Sequence, residues 1–202
     1  MDINIEFFYG LSGTLKTTTI SSRTSNVKTN YYYMPSSIKT WKELENGIFS
    51  GKVEVNDLNY AINHLCRLEG CVEYCRAWGI ENLFVERGVT DMLFYKSKKT
   101  ALEDEFIKDV VSYEDGLTVN NADLIDSIGV KKTLLIMKDR DFIIKSVNSH
   151  PSRQLFKDVD DYLAKQEEYV DFTRKYNNIN NTITITSAKD YITGLGINYR
   201  SN

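Results

Sequence analysis

The sequence predicts an α/β protein: a five-stranded, mainly parallel sheet with helices on both faces. Three observations point there. Short apolar runs alternate with stretches of helical periodicity along the whole chain. Most of those runs are apolar without strict alternation, as in strands buried on both sides. The first run also passes straight into a glycine-bearing turn and then a helix, an opening βα unit of the kind found in parallel sheets.

Each element has its own warrant. Ile3, Ile5, Phe7 and Phe8 form the first strand, and residues 16–22 a short helix. Residues 27–34 carry the β-branched and aromatic side chains of a second strand, ended by Pro35. Residues 40–49 read as a short helix. Residues 55–78 read as a long one, because Leu58, Ile62, Leu65, Leu68, Val72 and Cys75 recur at helical spacing and Gly79 stops it. A short apolar run at 82–86 is the third strand, followed by a helix over 101–113. Residues 133–137 form the fourth strand and 141–147 a helix. A basic loop follows at 150–157, then a helix over 160–176 with Tyr162, Leu163, Tyr169, Phe172 and Tyr176 as its apolar stripe. After a polar turn, Thr and Ile alternate over 182–186 as the fifth strand, and residues 188–195 close the chain as a helix.

The 202 residues suit one domain spanning 1–202, with a small lid segment at about 148–158. A net charge of −3 argues against a large basic nucleic-acid surface. No apolar run is long enough for a membrane span, so no membrane partner is expected. The acidic start, running directly into a strand, gives no sign of a signal peptide. Three cysteines make no disulfide framework. A cytoplasmic, reducing location is therefore expected. Abundant Asn, Lys, Ile and Tyr point to an A/T-rich coding source.

The most informative stretch lies between the first strand and its helix. Gly10, Lys16 and Thr17 fall in register with the phosphate-binding pattern G-x-x-x-x-G-K-[ST]. Leu15 stands where the second glycine belongs, while Gly13 keeps part of the loop's freedom. A turn with little side-chain bulk aims successive backbone N–H groups at phosphate oxygens, and the following helix adds its positive end. The nucleotide-binding set is thus Gly10, Leu11, Ser12, Gly13, Thr14, Leu15, Lys16, Thr17 and Thr18. Lys16 is expected at the β/γ-phosphates and the Thr17 hydroxyl on Mg²⁺. A leucine at position 15 is expected to crowd the phosphate and to resist a positive φ.

Three further landmarks join this loop. Met34-Pro35, with Trp41 beyond, follows the second strand; Glu86-Arg87-Gly88-Val89-Thr90-Asp91 closes the third; helix, basic loop and long helix occupy 138–176. In this order, over nearly its whole length, the chain resembles the P-loop nucleoside and nucleotide kinases, the group holding deoxynucleoside and thymidylate kinases. The resemblance implies strand order 2-3-1-4-5 and a first strand at the centre of the sheet. It implies ATP and Mg²⁺ as cofactors, with Thr17 and Glu86 as the metal-side groups. Lys16, Glu86, Arg87 and the lid residue Arg153 are the implied catalytic residues, with Lys157 and Arg140 as weaker lid candidates. Tyr33, Trp41, Arg87 and Asp91 would meet the acceptor. Met34 replaces the glutamate that deoxynucleoside kinases carry, and a thioether is no base. An ionised phosphate acceptor needs none, so a nucleoside monophosphate fits better than a nucleoside.

Two other readings stay open. One is a kinase acting on DNA, at a 5′ end or a hydroxymethylated base, with Lys96, Lys98 and Lys99 as a phosphate-contacting patch; viral P-loop kinases of that type are similar in outline. The other is a non-catalytic relative that binds a nucleotide or acts as an interaction protein. A nucleotide is the expected partner, DNA the less favoured one, and a homodimer is left open. His64, Cys66, Cys71 and Cys75 read as packing residues on a helix rather than a metal set.

Overall fold

The computed structural model describes residues 3–27, 30–36, 57–97, 102–118, 130–149 and 156–197. Five parallel strands form one sheet: β1 (Asn4–Tyr9), β2 (Tyr31–Met34), β3 (Asn82–Glu86), β4 (Lys131–Met137) and β5 (Asn181–Ile185). Their order is β2-β3-β1-β4-β5, as the resemblance implied, so β1 is central. Phe7, Phe8 and Tyr9 are completely buried, because a central strand is covered on both faces. The edge strand β2 instead exposes Tyr31 and Tyr32.

The helices among the described residues are α1 (Lys16–Asn26), α2 (Asp57–Trp78), α3 (Val89–Ser97), α4 (Asp104–Thr118), α5 (Arg140–Ser149), α6 (Val159–Tyr176) and α7 (Ala188–Gly194). No described helix is long and apolar enough to cross a membrane. Helix α2 buries Ala61, His64, Leu68, Val72 and Cys75, an i, i+3, i+4 stripe. It ends as its glycine foretold. Gly79 takes φ 63°, and Ile80 N–H reaches back to Cys75 O at 2.9 Å, the Schellman closure of orphaned carbonyls. Helix α6 starts on Asp158, whose side chain accepts from Asp161 N–H. Acidic Asp160 and Asp161 at its first turn and basic Arg174 and Lys175 at its last suit the helix dipole.

Side chains alternate between the faces of the sheet and sort the helices. Glu6, Phe8, Phe84, Glu86 and Tyr33 share the face of α1, which is tied to α7 by a Thr19–Tyr191 hydroxyl contact of 3.0 Å. Phe7, Tyr9 and Lys132 share the other face. There Lys132 Nζ donates to Asp115 of α4 at 2.5 Å and to Asn177 at 3.1 Å, keeping a buried ammonium paired.

Two sequence expectations need revision. No element was expected at 89–97, yet α3 stands there, with Val89, Met92 and Leu93 buried against α2 and α4. Its first amide, Val89 N–H, is capped from outside the segment by Glu114 Oε1 at 2.7 Å, which also contacts His64 Nε2 at 2.8 Å. A cap supplied by a distant helix leaves no local signature. The helix expected over 101–113 runs instead from Asp104 to Thr118. The helix expected at 40–49 lies outside the described residues.

His64, Leu68 and Cys75 are buried together on α2, whereas Cys66 is exposed. Burial pushes the Cys75 thiol up to about 11. That is the behaviour of a packed, unreactive thiol.

Candidate active site

The loop from Gly10 to Leu15 lies at the carboxyl end of the central strand. Its shape is set by close contacts. Gly10 has φ 150°, and a Cβ there would come within 2.4 Å of Thr14 Oγ1 and 2.9 Å of the Leu135 carbonyl. Leu11 O accepts from Thr14 Oγ1 at 2.9 Å, closing the turn. Gly13, at φ 87°, lies against Ser146 of α5.

Leu15 overturns the expectation that a leucine would resist a positive φ. Its backbone sits at φ 60°, ψ 25°, the left-handed conformation that a glycine would take, at a cost of about 1–2 kcal/mol. Its side chain packs against the hydrophobic core, which accounts for the tolerated strain. Leu15 makes no side-chain cap, and no acidic residue occupies the first turn of α1. The orphaned amides of that turn therefore meet no competing anion on their own helix.

Lys16 is 4% exposed. Its ammonium donates to Gly10 O and Leu11 O at 2.7 Å each, and to Thr14 Oγ1 at 3.3 Å. A positive charge is thus held inside the loop by the loop's own carbonyls.

The end of β3 supplies the facing groups, since Glu86 pairs in register with Phe8 of β1. Glu86 Oε1 accepts the Thr17 hydroxyl at 3.0 Å, and Oε2 accepts the Tyr33 hydroxyl at 2.5 Å. Burial pushes its carboxyl up. The Tyr33 and Thr17 hydroxyls with Lys16 and Arg87 outweigh that and hold it below the ordinary value of 4.5. The group is ionised at neutral pH.

Arg87 also has a left-handed backbone, at φ 73°. Its N–H still pairs with Phe8 O at 3.0 Å, and its guanidinium donates to Asp91 Oδ1 at 2.7 Å. Gly88 is required next, because a Cβ would lie 2.5 Å from the Tyr9 ring. Asp91 is fully buried. Burial raises its pKa, and Arg87, Lys16, the Tyr169 hydroxyl and the Gly88 N–H pull it back only in part.

The candidates named from sequence are thus placed unevenly. Lys16, Thr17 and Glu86 converge, with Arg87 following Glu86 directly. Asp91, expected to meet the acceptor, has no exposed surface and serves as the partner of Arg87. Tyr33, expected at the acceptor, spends its hydroxyl on Glu86. Thr18 is half-buried in α1, beyond the turn itself. Arg140 is exposed and pairs with Asp160 at 2.7 Å. Lys157 is exposed just before α6. Trp41, Arg153, Lys98, Lys99, the Lys96 side chain and most of the lid lie outside the described residues.

A cavity of about 340 Å³ opens where β2 meets α2, lined by Tyr32, Met34, Pro35, Arg67, Cys71 and Tyr74. The Tyr32 and Tyr74 rings lie 5.3 Å apart. Met34 is fully buried at its base. The resemblance implied Tyr33 as the tyrosine on the acceptor side. Strand alternation is what puts Tyr32, and not Tyr33, on the cavity side.

No protein-family model matches the chain, and no curated protein matches its sequence. Solved structures do match, and they define a class of fold. Thymidylate kinase from Ehrlichia chaffeensis superposes with a TM-score of 0.53 at 12% identity, covering 96% of this chain and 95% of its own. Deoxyadenosine kinase from M. mycoides, solved with bound dATP, gives a TM-score of 0.52 at 12% identity, over 95% and 97%. The chain has the fold of the P-loop kinases.

Proposed function

We propose that the protein transfers a phosphoryl group from ATP to a nucleotide-type acceptor, with a nucleoside monophosphate favoured over a nucleoside. The observation that carries this reading is the convergence of Lys16, Thr17, Glu86 and Arg87 on the ends of two adjacent strands. Phosphoryl transfer asks the protein mainly for positioning and for charge against the phosphate oxygens. Lys16 brings an ammonium already stripped of water, which acts more strongly than a solvated one. To meet a phosphate it exchanges loop carbonyls for phosphate oxygens. The uncapped amides of α1 bind the same oxygens, and Arg87 adds a planar clamp.

A hydroxyl and an ionised carboxylate 3.0 Å apart are hard oxygen donors of the kind that suits Mg²⁺. Thr17 and Glu86 would hold the ion, which supplies charge neutralisation at the β- and γ-phosphates when bound. Tyr33 keeps the Glu86 carboxylate turned toward Thr17.

Met34 supports the monophosphate preference, since a buried thioether at the end of β2 can take no proton from a hydroxyl acceptor.

A transfer screen with radiolabelled ATP over nucleosides, monophosphates and DNA oligonucleotides, beside a Lys16→Ala control, tests the assignment. Label on a monophosphate that disappears in the control is the expected result. Label on DNA alone would replace the acceptor, and no transfer at all would remove the enzyme.

A further inference from the structure

The geometry points to a role for Tyr169, a residue whose sequence context marks it only as part of an apolar stripe. Its side chain is completely buried in the middle of α6. The hydroxyl accepts the N–H of Gly10, the first residue of the phosphate loop, at 2.9 Å. It donates to Asp91 Oδ1, also at 2.9 Å. That same Oδ1 accepts the Arg87 guanidinium, while Oδ2 accepts the Gly88 N–H at 3.3 Å. One hydroxyl therefore joins three segments far apart in sequence: the phosphate loop, the turn that carries the arginine clamp, and α6.

A hydroxyl suits this place for a specific reason. Gly10 needs an acceptor and the Asp91 carboxylate needs a donor, and a phenol is both at once. Burial and the neighbouring Asp91 charge keep the phenol protonated, its pKa raised well above 10.0. The ring is fixed by an edge-on contact with Phe94, centroids 5.3 Å apart. Phenylalanine would fill the same volume and leave Gly10 and Asp91 each one partner short.

We propose that Tyr169 is a positioning residue for phosphoryl transfer. Its hydroxyl sets the spacing between the phosphate loop and the Arg87 clamp by holding Gly10 directly and Arg87 through Asp91. The inference rests on the phosphotransfer reading and adds a residue that touches neither nucleotide nor acceptor. Asp91 is the group whose charge state matters. The charged and titratable groups around it are Arg87, Lys16, Tyr169 and the nearby Tyr9.

The test is Tyr169→Phe in the full chain, with Asp91→Asn and the double variant beside it. Measured together are kcat, KM for each substrate, Mg²⁺–ATP affinity by titration calorimetry, the pH–rate profile and the thermal midpoint. Tyr169→Phe is expected to lower kcat roughly tenfold or more, with Mg²⁺–ATP affinity held within about threefold. Its acidic limb should move to higher pH. Asp91 loses a donor that favours its charged form, while burial continues to favour the neutral one. The double variant should lose less than the product of the two single effects, because the Arg87 arm is shared while the Gly10 contact is lost only with the Tyr169 hydroxyl; fully multiplicative losses overturn the coupling through Asp91. An active wild type whose Tyr169→Phe variant keeps its kcat and pH limb, or loses kcat only as its thermal midpoint falls, overturns this inference alone. A wild type that transfers nothing overturns the phosphotransfer reading and this inference with it. If Tyr169→Phe does not fold, Asp91→Asn carries the test: lower kcat with intact Mg²⁺–ATP affinity supports the inference, and unchanged kcat overturns it.

Discussion

Two turns face each other at the carboxyl ends of adjacent strands, and they are built on opposite plans. The Gly10–Lys16 loop is a backbone device: its ammonium is held by carbonyls within six residues, and its left-handed Leu15 is steadied by packing. The Glu86–Asp91 turn is a side-chain device. Its carboxylates are held by Thr17, Tyr33 and Tyr169, from three other elements, and its left-handed Arg87 is fixed by an ion pair to one of those carboxylates, Asp91. Both store backbone strain beside the site, where such strain tends to cluster. A locally built loop tolerates a change of side chain as long as the backbone path survives. A turn held from a distance fails when any of its remote partners is lost.

The largest expected effect falls on the local loop. Lys16→Ala removes the one ammonium shown inside that loop, so kcat should fall by roughly 10²-fold or more. Equal activity in variant and wild type would break the comparison at its strongest point.

Arg87 comes next. Lysine cannot reproduce a planar clamp, so Arg87→Lys should cost nearly as much kcat as Arg87→Ala. Recovery of most of the activity by lysine would mean that only charge is required in the second turn.

Glu86→Gln should weaken the dependence of turnover on Mg²⁺ while the fold persists, since the amide keeps the shape and loses the charge. The pH dependence of stability supplies a sign. The folded carboxyl lies below its ordinary value, so its stabilisation is complete above the unfolded pKa and is lost as pH falls through the folded one. The gap in thermal midpoint between wild type and Glu86→Gln should be widest near neutrality and close on acidification below pH 4.5. A gap that is constant with pH would show that Glu86 acts through shape alone.

The smallest effect is expected at Leu15. Leu15→Gly removes a left-handed strain of about 1–2 kcal/mol. It also loses the packing of a half-buried side chain and adds backbone entropy of about 0.5–1 kcal/mol to the unfolded chain. These oppose one another, so denaturant unfolding should shift by no more than about 1 kcal/mol, with nucleotide affinity unchanged or improved. A large loss of either would show that the leucine is required for the loop and not merely accommodated.

Much of this protein was determined by the sequence itself. Parallel strands and their helices were legible because burial on both faces writes continuous apolar runs, and helical burial writes a stripe. The Lys16 loop was legible because its parts are contiguous: glycine, lysine and hydroxyl must follow one another for the backbone to make the turn. Other features were decided only by the tertiary structure. Helix α3 escaped notice because its cap comes from Glu114, a helix away in the chain. The burial of Asp91 and the roles of Tyr33 and Tyr169 were hidden because a hydroxyl's partner is chosen by the fold. Tyr169 and Gly10 are 159 positions apart, and their hydrogen bond exists only once α6 is packed against the sheet. Local geometry is carried by neighbours in sequence and can be read there; the pairing of buried polar groups is carried by neighbours in space.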